Sequence, residues 1–97
     1  MDQLLFRVDD VFTIRGRGVV VVVDVVEWPA DIRLRVGDPI EVVRTDGSRR
    51  RTEARSIELM HMTDPTRRPV GVLLGPEVIK ADVEVGAEVW WVDPAGA

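Results

Sequence analysis

The sequence predicts a small all-β domain, and three features of the chain carry that prediction. Valine occupies 19 of the 97 positions, and β-branched side chains suit a pleated surface better than a helix. Glycine and proline interrupt the valine-rich stretches about every ten residues, and only one short stretch has a helical pattern. We therefore expect one domain of roughly six to eight strands, either a barrel or a sandwich. A barrel is favoured, because closure removes the unpaired edges of a valine-rich sheet.

The first third of the chain predicts a strand followed by a hairpin. Leu4, Phe6 and Val8 alternate with Leu5, Arg7 and Asp9, which is the period of a strand with one face inward. Val11 to Ile14 runs into Gly16-Arg17-Gly18, where glycine permits a tight turn, and the chain returns through Val19 to Val26. Trp28 to Asp31 contains Pro29 and predicts a loop.

The middle of the chain predicts three further strands. Ile32, Leu34 and Val36 alternate with arginines and indicate a strand that ends before a turn at Gly37. The next strand is expected from Ile40 to Arg44. Asp46-Gly47 is a strong hairpin signal, and it leads through an arginine run into a polar strand from Thr52 to Leu59.

The last third predicts two strands around a single helical turn. Val70 to Leu74 is a short apolar strand that Gly75-Pro76 stops. Val78 to Asp82 is the one segment with a helical pattern, and Glu88 to Val92 is the expected final strand. Residues 93–97 are expected to form a frayed tail.

Composition excludes most classes of enzyme. The chain has no cysteine, and His61 is its one histidine, so thiolate metal sites, cysteine nucleophiles and histidine pairs are excluded. Lys80 is the one lysine and lies outside any glycine-rich phosphate loop. We therefore expect no catalytic site, no metal and no cofactor.

Charge and hydropathy point to a protein of the cytoplasm. The first fifteen residues carry five charged side chains where a secretory signal would be apolar. The longest uncharged apolar run, Val19 to Val23, is far too short to span a membrane. The net charge of −4 argues against a general nucleic-acid coat, although a local basic strip is compatible with that total.

Four segments occur in the order found in one family of translation proteins. They are Asp10–Val20, Val36–Val43, Ser56–Leu59 and Val70–Leu74. Together they resemble the second domain of elongation factor Tu and related translational GTPases, and the resemblance extends from Leu4 to about Val92. It implies that family's small closed six-stranded β-barrel of Greek-key type, so the expected domain is a single barrel over residues 1–97.

The resemblance also implies a binding role. In the family this barrel lies between a GTPase domain and another barrel, whereas this chain is expected to be the barrel alone, without GTP binding. In elongation factor Tu the domain contributes to the pocket for the aminoacylated 3′ end of tRNA, and in ribosome-bound relatives it contacts the small subunit. Arg17 and Glu58 match positions that line the tRNA-end pocket. The chain departs from the family at His61, where the family has a basic residue, and at Pro69, where it has a polar one.

Two further groups of residues are candidate contacts on their own chemistry. The run Arg49-Arg50-Arg51 could contact RNA or an acidic partner, or could form a solvated hairpin whose alternate members share a face. Trp90 and Trp91 are adjacent, so on a strand one indole should face outward. That indole, together with Trp28, could mark a contact surface. The alternative is that these tryptophans pack over the end of the barrel.

Two hypotheses about function follow. The first is a non-catalytic module that docks on a protein or ribonucleoprotein partner through tryptophan and arginine side chains. The alternative is an RNA-binding accessory factor that contacts a tRNA acceptor end or ribosomal RNA through Arg17, Glu58 and the arginine hairpin; the acidic total counts against it. An outward tryptophan and valine-rich strands are also compatible with a homodimer.

Overall fold

A computed structural model describes residues 3–24, 34–59 and 69–93 of the chain. These residues form one sheet of seven antiparallel strands and a short 3₁₀ helix at Lys80–Asp82. The strands are β1 (Gln3–Arg7), β2 (Asp10–Ile14), β3 (Gly18–Asp24), β4 (Pro39–Val43), β5 (Arg49–Leu59), β6 (Pro69–Leu74) and β7 (Glu88–Trp91).

The sheet confirms the all-β prediction, but hydrogen bonds between its end strands do not close it into a ring. The strands are ordered β1-β7-β4-β5-β6-β3-β2, so β1 and β2 are the two end strands. In the described part of the chain these end strands do not pair with each other, and the number of strands is seven. In the described residues the hydrogen-bonded sheet is therefore open between β1 and β2, which pair with different neighbours.

The two ends of the sheet are joined by chain continuity through Val8 and Asp9. On one side, the Val8 N–H donates to the carbonyl of Ala87 at 2.8 Å, and the Gly86 N–H donates to the carbonyl of Val8 at 2.8 Å. On the other side, the Asp9 N–H donates to the carbonyl of Val22 at 2.8 Å. A link of two residues thus passes from the β7 side of the sheet to the β3 side.

The core lies on the inner face of the sheet, where strand alternation places the valines. In β3, Val19, Val21 and Val23 are almost completely buried in the main cluster, as are Ile40 and Val42 of β4. The intervening Val20 and Val22 belong to a second, smaller cluster with Leu73. Because neighbouring strand residues face opposite ways, this second cluster lies on the outer face of the sheet.

Both predicted hairpins are present. β2 pairs with β3 across the Arg15–Arg17 turn, and β4 pairs with β5 across the Asp46-Gly47 turn. Gly47 has a φ of 88°, which favours glycine, and the Asp46 carboxylate accepts the Ser48 N–H at 2.8 Å. The arginine run lies within β5 itself and does not precede it.

One expected strand is absent from the described residues. Leu34 to Val36 was expected to be extended and paired, but this segment leads directly into a turn. The Arg35 N–H donates to the Asp38 carboxylate at 2.9 Å, and Gly37 adopts a φ of 95°. This local bond uses a backbone N–H that a strand would need for pairing.

Several predictions fall outside the described residues. They concern Val25 and Val26, the loop Trp28–Asp31, Ile32, His61 and residues 94–97. The predicted helical turn is present as the 3₁₀ helix. In the described part of the chain, no helix has the length and apolar character needed to cross a bilayer.

Candidate functional site

The six residues predicted to bind a partner fall into three places. Arg17 and Glu58 lie on the outer side of β5, β6, β3 and β2, which we call the hairpin face. Arg49, Arg51 and Trp90 lie on the outer side of β1, β7, β4 and β5, which we call the tryptophan face. Trp91 points the other way, because it packs against the main core.

Strand register defines the hairpin face. One row across the sheet consists of Ser56, Leu73, Val20 and Phe12, each opposite the next on the neighbouring strand. The adjacent row consists of Glu58, Gly71, Val22 and Asp10. Because partners in an antiparallel pair lie on the same side of the sheet, all eight residues share this face.

Arg17 and Glu58 meet across a small cleft on this face. The Arg17 Nη2 atom lies 3.6 Å from Glu58 Oε1, although 41 positions separate the two residues in sequence. Ser56 Oγ donates to the same carboxylate oxygen at 3.2 Å. The cleft has a volume of about 50 Å³. Its lining consists of Ile14, Arg17, Val20, Ser56, Glu58, Gly71 and Leu73.

The cleft combines an accessible ion pair with an apolar surround. The Arg17 and Glu58 side chains are 50% and 63% exposed, so their attraction is screened by water and contributes about 1 kcal/mol or less. Phe12 and Ile14 of β2 are each 40% exposed beside it. A partner could therefore engage either charge at low cost while it covers apolar surface.

The tryptophan face places two arginines around one carboxylate. Glu41 of β4 lies between Trp90 of β7 and Arg51 of β5 in register. Arg49 Nη1 lies 2.9 Å from Glu41 Oε1, and Arg51 Nε lies 3.9 Å from Glu41 Oε2. Glu41 is only 15% exposed, so the two arginines largely cover it. Arg50, between them, faces the other way and donates to the carbonyl of Glu77 at 2.9 Å.

The two tryptophans of β7 have different environments. Trp91 lies opposite Ile40 and packs against the main core. Trp90 lies opposite Glu41 on the outer face, half-buried, and its Nε1–H donates to Glu88 at 3.2 Å. Trp90 is thus the indole on the outer face of β7.

Sequence reasoning missed four residues that shape these faces. Glu41 pairs with Arg49 and Arg51, and Ser56 donates a hydrogen bond to the carboxylate of Glu58. Phe12 and Ile14 supply exposed apolar surface. The alternation of β2 could have identified Phe12 and Ile14 as sharing one face, but the role of Glu41 depends on the pairing of β4 with β5.

Comparison with known proteins identifies no family for this chain. No protein-family model matches the sequence, and no curated protein is significantly similar to it. Among the described residues, no group of three or more histidine, cysteine, aspartate or glutamate side chains is arranged to hold a metal ion. Inferences about function therefore depend on the two faces.

Proposed function

We propose that the protein is a non-catalytic binding module that docks on a protein or ribonucleoprotein partner through its hairpin face. The observation that carries the proposal is the juxtaposition of the Arg17–Glu58 pair with the exposed apolar side chains of Phe12 and Ile14. Apolar side chains at the centre and charged groups at the rim are typical of protein interfaces.

Charge balance favours a protein over RNA as the direct contact. An RNA site needs unpaired cations, because affinity comes from replacing the counterions of phosphates. On the hairpin face, Arg17 is paired with Glu58, and on the tryptophan face Arg49 and Arg51 both approach Glu41. Each candidate arginine thus has a carboxylate beside it, in a chain of net charge −4.

The proposal includes a fold of the translation-factor barrel type. The two-residue link between β1 and β2, bonded to Ala87 on one side and Val22 on the other, supports treating these strands as one bent strand. Counted in that way the sheet would form a ring of six strands. The four sequence segments that resemble the second domain of elongation factor Tu support the same assignment. We also propose that the protein is located in the cytoplasm.

Affinity capture from the protein's own cell lysate, with and without ribonuclease, tests the proposal. Ile14→Asp should abolish capture of a protein partner, because it buries a charge in the apolar contact. The matched control is Val85→Asp, which changes a valine 63% exposed elsewhere on the surface. Equal capture by the two variants would show that the hairpin face is not the docking site.

RNA contact is the second candidate, favoured by one observation. The two positions that the family resemblance assigns to the tRNA-end pocket, Arg17 and Glu58, do lie in one cleft. If this cleft binds RNA, tRNA affinity should fall steeply with salt and should be lost in Arg17→Ala. Binding to a protein through Phe12 and Ile14 should depend much less on salt.

A further inference from the structure

β2 is an end strand whose outer edge pairs with nothing else in the described residues. Its ladder partner is β3 on one side. The 3₁₀ helix lies near β2, but no backbone hydrogen bond of the described chain joins the two. An exposed edge of this kind is a template for another strand.

The backbone groups that face this edge belong to Val11 and Thr13. The Val11 N–H donates to its neighbour's carboxylate, Asp10 Oδ1, at 2.8 Å, and is therefore not bonded to β3. In an antiparallel ladder, successive residues direct their N–H and C=O groups to opposite sides. Asp10, Phe12 and Ile14 thus face β3, and Thr13 faces the open edge together with Val11.

The sequence of β2 complements itself when a second copy is turned antiparallel. A two-fold axis at Phe12, the central residue of Asp10–Ile14, places Val11 of one copy opposite Thr13 of the other. These are the residues whose backbone groups face the edge, and pairing exchanges the bond of the Val11 N–H to Asp10 Oδ1 for one to the carbonyl of Thr13 in the second copy. The same axis places Phe12 beside Phe12 on one side of the sheet, where cross-strand aromatic pairs are favourable.

Charges along the strand favour the same arrangement. Asp9 precedes β2 and Arg15 follows its end, and both side chains are exposed. In the described residues Arg15 forms no ion pair. With the axis at Phe12, Arg15 of one copy lies opposite Asp9 of the other, and the pair contains this juxtaposition twice.

We propose that two copies of the chain associate through antiparallel pairing of their β2 strands about Phe12. The axis lies perpendicular to the sheet, so the two hairpin faces lie on the same side of the joined sheet. A partner with two docking segments would then bind more tightly than to one copy. The dimer itself does not depend on the proposed docking function.

Sedimentation equilibrium of the full chain from about 10 µM to 1 mM tests the pairing, a range suited to an interface below the standard size. The wild-type mass should rise toward twice the 10.9 kDa of one chain. Asp9→Arg and Arg15→Asp should each raise the dissociation constant about tenfold, because each places like charges together twice. The double variant should restore the wild-type constant to within about threefold.

Thr13→Pro provides an independent test, since it removes an edge N–H while leaving the β3-facing residues unchanged. It should be monomeric at every concentration, and a one-dimensional proton spectrum with wild-type dispersion would show that it is folded. A wild-type mass of one chain throughout, or single charge variants that dimerise like the wild type, would overturn the proposal. Either result would leave capture of a partner through Ile14 unaffected.

Discussion

At the scale of single residues, the hydroxyl of Thr52 joins β5 to the segment after β6. Thr52 is 7% exposed, and its Oγ accepts the Gly75 N–H at 3.0 Å and donates to Glu77 Oε1 at 2.7 Å. Thr52→Val should lower the free energy of unfolding by about 1–3 kcal/mol, because the buried Gly75 N–H loses its acceptor. Urea denaturation measures the loss.

Thr52→Ser is the matched control, because it keeps the hydroxyl and removes one methyl group. It should cost about 1 kcal/mol, the value of a buried methyl. Gly75 itself permits this contact: a Cβ at that position would lie 2.5 Å from Thr52 Oγ1. If the serine variant loses as much stability as the valine variant, packing of the methyl group, and not the hydrogen bond, holds the segment.

A second residue-scale contact makes stability depend on pH. Glu84 Oε1 accepts the Thr45 hydroxyl at 2.6 Å and the Thr45 N–H at 2.7 Å. These two bonds, the hydroxyl first, hold the pKa of Glu84 below its usual value. Because the folded state has the lower pKa, this stabilisation is present above the unfolded carboxylate's pKa and is lost as pH falls through the folded value.

Glu84→Gln should therefore flatten part of the stability profile on the acid side of pH 4.5, the ordinary pKa of this group. The measurement is urea unfolding at intervals from pH 7 to about pH 3, where paired carboxylates become protonated. Glu53→Gln removes an exposed carboxylate outside this contact and serves as the control. Identical profiles for the wild type and Glu84→Gln would show that the Thr45 bonds do not form in solution.

At the scale of elements, β7 carries one tryptophan for the fold and one for the surface. Trp91 packs on the core opposite Ile40, whereas Trp90 lies on the outer face beside Glu41. Trp91→Ala should cost about 2–4 kcal/mol of unfolding free energy, because it leaves a cavity at the core. Trp90→Ala should cost about 1 kcal/mol or less. Denaturation followed by circular dichroism compares them, and equal losses would contradict the assigned faces.

Elements were predictable where one local signal dominated. The valine alternation of β3 and the glycine turns of both hairpins identify strands and turns directly, since periodicity and positive φ are local properties. The strand prediction for Leu34 to Val36 failed because the Arg35 N–H bonds to the Asp38 carboxylate and not to a neighbouring strand. Strand order, in contrast, is not a local property. No pattern in the sequence from Arg17 to Glu58 indicates that β6 lies between β3 and β5 in the sheet.

In the candidate site, too, local properties were predictable from the sequence and contacts between strands were not. Pattern alone indicated that alternate members of the arginine run share a face, and Arg49 and Arg51 do share one. It could not show that both approach Glu41, because that contact depends on the register of β4 against β5. Sequence reasoning therefore found the cations but missed the carboxylate that Arg49 and Arg51 share.

At the scale of the whole molecule, the net charge of −4 opposes approach of any polyanion, and Glu41 adds to that effect at the arginine run. Glu41→Gln keeps the side-chain shape, changes the net charge by one unit and leaves Arg49 and Arg51 without their shared partner. It should raise affinity for heparin about threefold to tenfold at low salt, since two guanidinium groups become available to anionic groups. Elution from heparin–agarose measures the shift, with Glu53→Gln as a control that changes net charge equally but leaves the Glu41 contacts in place. Equal shifts in both variants would mean that total charge, and not the arrangement around Glu41, governs the response to a polyanion.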